Sequence, residues 1–261
     1  MTTGPARALL RRLGRFLDGF SACFSCQPQP EAATQYLDGL FNDSERKSMQ
    51  AMHGRLSDPG QYQALQHFIT HSPWDAARVW AHLRTVVPVR AGILAIDDTG
   101  FPKQGTRSVG VQRQYCGALG KIGNCQVAVS SAFADGRTRP LAFDLYIPVS
   151  WIDDAPRRAA AGIPATLPFR EKWRIALAQV RVTLQAGFTI TGVVVDADYG
   201  SNAEFRAGLE RLGCRMAWRF AARPCAPSSA CRVRSLRRPS RSRPPRTRGN
   251  RWRGAPVRPG Q

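Results

Sequence analysis

The sequence predicts an α/β protein: a mixed sheet flanked by helices, an all-α region ahead of it and an Arg/Pro-rich tail behind it. Three observations carry that prediction. Apolar residues recur at helical spacing from Glu31 to about Val87. Two short apolar runs each stop abruptly at a pair of acids, Asp97-Asp98 and Asp196-x-Asp198. Beyond Cys214 the chain loses both its acids and its periodicity. With 261 residues, 43% of them hydrophobic, there is material for one or two packed cores, which excludes wholesale disorder.

The elements follow in chain order. Residues 1–30 form a basic segment in which residues 6–20 read as a short amphipathic helix, ended by Gln27-Pro28-Gln29-Pro30. Arg11, Arg12 and Arg15 interrupt its apolar positions, so it is not a secretory signal. Residues 31–88 form a helical region with groups suited to DNA contact. Its apolar sets are Tyr36, Leu37, Leu40 and Phe41; Met49, Met52 and Leu56; Leu65, Phe68 and Ile69; and Val79, Trp80 and Leu83. Asp58-Pro59-Gly60 and Ser72-Pro73 punctuate these sets, which predicts about four helices. Gln61, Gln63, Gln66 and His67 could read base edges, and Arg78 and Arg84 could touch phosphates, as readily as they could form a solvated face.

The character changes at Val89. Ala91 to Ile96 is a buried strand delivering Asp97 and Asp98 to the end of a sheet. Gln126 to Phe133 and Arg139 to Ile147, joined by Ala134-Asp135-Gly136-Arg137, read as a hairpin. Glu171 to Ala186 is a helix stopped by Gly187. Thr191 to Val195 is a second buried strand, ending at Asp196, and Ser201-x-x-Glu204 opens the next helix as a capping box.

Charge and thiols are less informative. Of 38 Lys+Arg and 18 Asp+Glu, 14 Arg lie in residues 215–261, which leaves 24 basic against 18 acidic residues, a net +6, in residues 1–214. Seven Cys form no disulfide framework, and Cys23-x-x-Cys26 lacks the second pair a structural zinc would need. His67 and His71 lack the Glu of a zinc protease helix. Gly117-x-x-Gly120-Lys121 lacks the spacing and hydroxyl of a phosphate loop. No apolar run is long enough to span a bilayer, so a cytoplasmic chain is expected.

Two neighbouring strands ending in acids bring carboxylates close together, where repulsion is relieved by protonation or by a divalent cation. Hard oxygen ligands favour Mg²⁺ or Mn²⁺, and two such ions about 3.5–4 Å apart can drive in-line attack on a phosphodiester.

The segments Leu94 to Gly105, Gln114 to Lys121, Asn124 to Val127 and Val194 to Gly200 resemble a bacterial insertion-sequence transposase of the DDE superfamily. The stretch from Tyr36-Leu37-x-Gly39-Leu40 to Ser72-x-Trp74-Asp75 resembles that family's helical N-terminal region. The resemblance implies an RNase H-like, retroviral-integrase-like fold, so that residues 89–214 would be a partial catalytic domain. It implies Asp98 and Asp196 as catalytic residues and as ligands of Mg²⁺ or Mn²⁺, two ions in a complete site. Asp97 is the second choice to Asp98, because alternation along a strand keeps both from facing one metal; Asp198 is the alternative to Asp196. Lys103 and Lys121 would hold the DNA backbone. The partners implied are DNA, as element ends and target, with room for a homo-oligomer and with no membrane, in a bacterial, nucleoid-associated setting.

One part of the pattern is missing. The superfamily's third acid is a downstream Glu, yet after Asp196 only Asp198, Glu204 and Glu210 remain. The tail, residues 215–261, has seven prolines and no acid and is expected to be disordered. It reads either as an Arg-rich arm for phosphates or as a GC-rich gene translated out of frame. The expected function is therefore that of an insertion-sequence transposase in an incomplete, inactive copy; the alternative is a non-catalytic DNA-binding protein derived from one.

Overall fold

The computed structural model describes residues 4–26, 28–45, 47–56 and 62–218. The tail beyond 218 and the Asp58-Pro59-Gly60 turn lie outside the described residues.

The first helix, α1, spans Gly4–Asp18, and a 3₁₀ turn at Ser21–Cys23 follows. The next helix, α2, covers Pro28–Phe41, so the prolines expected to break the chain open a helix instead. A missing N–H is harmless in the first turn, where that donor has no intrahelical partner. Three more helices, α3 (Met49–His53), α4 (Tyr62–Thr70) and α5 (Ala76–Val86), complete the helical region. Ser48 and Asp75 cap α3 and α5 by accepting from the amides of Ala51 and Ala77.

The buried side of α2 also differs from expectation. It packs Gln29, Ala32 and Gly39, whereas Phe41 is 75% exposed. Gly39 lies so close to α3 that a Cβ there would sit 2.9 Å from Cβ of Met52.

The sheet contains β1 (Ala91–Pro102), β2 (Gln112–Cys116), β3 (Lys121–Ala134), β4 (Thr138–Leu145), β5 (Thr189–Val195) and β6 (Met216–Trp218). Its order is β2-β3-β1-β5-β6, with β4 also on β3. The pairings of β3 with β1, β2 and β4 are antiparallel, while β1/β5 and β5/β6 are parallel. Two short helices, α6 (Val149–Ile152) and α7 (Ala155–Ala160), precede α8 (Lys172–Gln185); α9 (Ala197–Ser201) and α10 (Ala203–Arg211) follow β5. This is the RNase H-like mixed sheet flanked by helices that the sequence predicts.

Alternation assigns the two faces of β1. Leu94 and Ile96 are buried in one core with Val129, Phe133, Val193, Val195, Ile175 and Val180 of α8, and Phe205 and Leu209 of α10. On the other face Ile93, Val194 and Phe143 remain 42%, 37% and 39% exposed. Gly187 adopts φ +82 after α8, the left-handed conformation expected of it.

A clamp joins α5 to the sheet. The guanidinium of Arg90 donates to the carbonyls of Arg84 (2.9 Å) and Thr85 (3.0 Å) and stacks 4.7 Å from the centre of the Phe188 ring. The carbonyl of Arg90 accepts from Thr189 at the start of β5. Arg84, for which the sequence leaves phosphate contact and a solvated face equally open, is half-buried and donates to the Leu141 carbonyl of β4 at 2.9 Å.

Candidate active site

Strands β1 and β5 run parallel in register through Ala95 and Val194. Two residues further on, the strands reach Asp97 and Asp196, and the acids therefore meet at one edge of the sheet. Asp98 continues the face of Leu94 and Ile96 and is half-buried; Asp97 lies on the opposite face and is exposed. The Asp97 carboxylate accepts from the Asp98 amide at 2.8 Å.

Both oxygens of Asp98 are engaged. Oδ1 accepts from the Tyr199 phenol at 2.6 Å, and Oδ2 from Lys172 Nζ at 2.5 Å. Lys172 opens α8, and Tyr199 lies in α9 directly behind Asp196. Tyr199 is buried; that burial, then the hydrogen bond and charge of Asp98, push its phenol upward, so it stays a protonated donor.

Asp196 is fixed differently. Its carboxylate caps α9 by accepting from the Tyr199 amide at 3.1 Å. Although the residue is exposed overall, partial desolvation of its carboxyl raises its pKa, outweighing that capping bond, and the charges of Asp198, Asp97 and Asp98 add to the rise. Asp196 thus senses all three neighbouring acids, as two strand ends in register require.

The donor chemistry suits a divalent cation: the groups are hard carboxylates, and the repulsion that adds to the desolvation of Asp196 is what such an ion relieves. Asp98, however, already has a cationic partner. Among the described residues no group of three or more His, Cys, Asp or Glu side chains is gathered for a metal. Glu204 and Glu210 are exposed on α10. The expected capping box is displaced by one residue: Asn202 caps α10 by accepting from the Phe205 amide at 2.7 Å, while Ser201 belongs to α9. Asn202 thereby captures the helix start, leaving Glu204 without a capping task.

The other candidates sit apart from the acids by topology. Lys103 follows β1, tied by its backbone amide to the Asn124 carbonyl, and Asn124 returns hydrogen bonds to the carbonyls of Lys103 and Gly105. Lys121 opens β3 opposite Cys116, at the tip of the β2–β3 hairpin. Both lysines are exposed, and residues 99–134 contain no acid. Cys23 and Cys26 are free thiols, the first buried and the second exposed. The rings of His67 and His71 stack 5.2 Å apart.

Sequence reasoning missed Lys172 and Tyr199 as partners of Asp98. They lie 74 and 101 residues from it, and no local spacing signals such a meeting. One clue to Lys172 was present, a Lys in the first turn of a helix, where the helix dipole disfavours positive charge.

A family model described as DDE superfamily endonuclease matches residues 19–258. The chain is 31% identical over 215 residues to "Probable transposase for insertion sequence element IS701" of Microchaete diplosiphon, covering 80% of this chain and 53% of that protein. The chain thus spans about half the length of that curated relative. A solved structure, the Drosophila P element transposase strand transfer complex, overlaps 77% of this chain and 42% of its own at 10% identity, with a TM-score of 0.20, too low to bear on fold or function.

Proposed function

The chain belongs to the DDE superfamily endonucleases, and from that premise we propose that it derives from an insertion-sequence transposase, with Asp98 and Asp196 as the surviving part of a metal-dependent DNA-cleaving site. The observation that carries this reading is the convergence of carboxylates at the ends of parallel β1 and β5, where Asp97, Asp98 and Asp198 all act on Asp196.

A bound Mg²⁺ or Mn²⁺ would activate the attacking oxygen and stabilise the leaving oxygen of a phosphodiester. The protein's own contribution is positioning. Tyr199 holds Asp98 through Oδ1, and the α9 cap holds Asp196, so both carboxylates are oriented before any ligand arrives. Lys103 and Lys121, in an acid-free stretch, neutralise backbone phosphates of element-end and target DNA. The catalytic set is incomplete among the described residues, since neither Glu204 nor Glu210 joins the acids.

The test is a pair of assays on the purified chain with labelled duplexes carrying element ends. Mn²⁺ binding, read by electron paramagnetic resonance, is expected to require Asp98 and Asp196, and strand transfer is expected to be absent. Mn²⁺ binding indifferent to both Asp98→Asn and Asp196→Asn would remove the metal site; robust strand transfer would remove the incompleteness. A second reading, a DNA-binding protein without catalysis, is favoured by the full engagement of Asp98 with Lys172 and Tyr199. It expects metal-independent binding of element ends and no bound Mn²⁺.

A further inference from the structure

Lys172 occupies one of the two Asp98 oxygens that a cation would approach. Its ammonium lies 2.5 Å from Oδ2 of Asp98, while Oδ1 is taken by the neutral phenol of Tyr199. Tyr199 can keep its bond when the carboxylate accepts another ligand, because a carboxylate oxygen carries further lone pairs. Lys172 cannot share its position in the same way, since two cations on one oxygen repel.

Helix stability does not explain this lysine. It occupies the first helical position of α8, whose first turn has no acidic residue, and a positive charge there opposes the helix dipole. In that same position the ammonium lies 5.4 Å from the centre of the Tyr146 ring, within the range of a cation–π contact. The Tyr146 ring therefore supports the ammonium where it stands beside Oδ2.

We propose that Lys172 is a built-in counter-cation that holds the metal's place at Asp98, keeps the carboxylate oriented in the metal-free protein, and sets the metal affinity of the site by competing for Oδ2. This inference rests on the reading of Asp98 as a metal ligand. It makes Lys172 a positioning residue rather than a group that reacts.

The distinguishing measurement is Mn²⁺ affinity of the full chain by electron paramagnetic resonance. Lys172→Met removes the competitor and keeps the stem, so it is expected to tighten Mn²⁺ about three- to fivefold, the worth of a partly exposed ion pair. Lys172→Arg keeps the charge and is expected to retain the wild-type affinity. Adding Asp98→Asn to Lys172→Met is expected to cancel the gain. Thermal melting of each variant establishes folding, and a merely structural lysine would lower melting and loosen Mn²⁺ together. Equal or weaker Mn²⁺ binding by a folded Lys172→Met protein overturns the role of Lys172 alone. Failure of both wild type and Lys172→Met to bind Mn²⁺ overturns the metal reading as well.

Discussion

The two faces of β1 differ although the same strand builds both. On one, Leu94 and Ile96 are sealed beneath α8 and α10, and the strand ends in Asp98, held by Lys172 and Tyr199. On the other, Ile93 is open, and the strand ends in the exposed Asp97. Adjacent acids in the sequence therefore have opposite environments. The lesson is that a strand-end acid gains a defined geometry from the elements packed on its face, and that adjacency in the chain says little about equivalence in chemistry.

The largest expected effect tests that contrast directly. Asp98→Asn should weaken Mn²⁺ binding by about 100-fold or more, because it removes a ligand where loss of an outer-shell partner already costs about 10–100-fold, with Asp97→Asn changing it by less than about tenfold. Comparable losses in paramagnetic resonance titrations would erase the distinction between the faces. Next comes packing. Leu94→Ala should destabilise the fold by about 2–5 kcal/mol, and Ile93→Ala by less than about 1 kcal/mol, as read from urea unfolding; similar values would mean that the second face is as packed as the first.

A smaller effect is expected at the phenol. Tyr199→Phe leaves Asp98 one donor short and should cost about 1 kcal/mol in the same unfolding assay; no change would show that the hydrogen bond orients without stabilising. The smallest concerns pH. Because the folded protein raises the Asp196 pKa above its ordinary value, it binds this proton more readily than the unfolded chain does, and stability falls as pH rises from the ordinary aspartate range through the raised value. Asp196→Asn keeps a capping side chain and removes the charge. It should raise the melting temperature slightly near neutral pH, with the difference fading below the ordinary aspartate range; a uniform loss at every pH would place the cap above the repulsion.

Much of this arrangement was legible in the sequence because it is local. An apolar run that stops at an acid is a complete signal, and both site strands were found by it. So was α8, through its periodicity and Gly187. Strand β2 escaped because Gln112, Arg113 and Gln114 carry no apolar alternation; pairing with β3 makes it a strand. The start of α10 was misplaced because Ser201 and Asn202 are both good caps and only the backbone decides between them. The partners of Asp98 were illegible for a different reason: contacts between residues 98, 172 and 199 arise only when three elements pack. The dense helical pattern of residues 31–88 overstated burial, since Phe41 fits the apolar stripe yet faces outward.

The clamp at Arg84 and Arg90 couples the end of the helical region to three strands at once. The Arg84 side chain fastens the last turn of α5 to β4, the Arg90 side chain ties that turn to the residue preceding β1, and the Arg90 backbone is bonded to the first residue of β5. The end of α5 is thereby tied to the sheet. Load taken up by the end of α5 is therefore passed directly to β4 and β5, and replacing Arg90 would loosen that coupling while leaving the Arg84 bond to β4 in place.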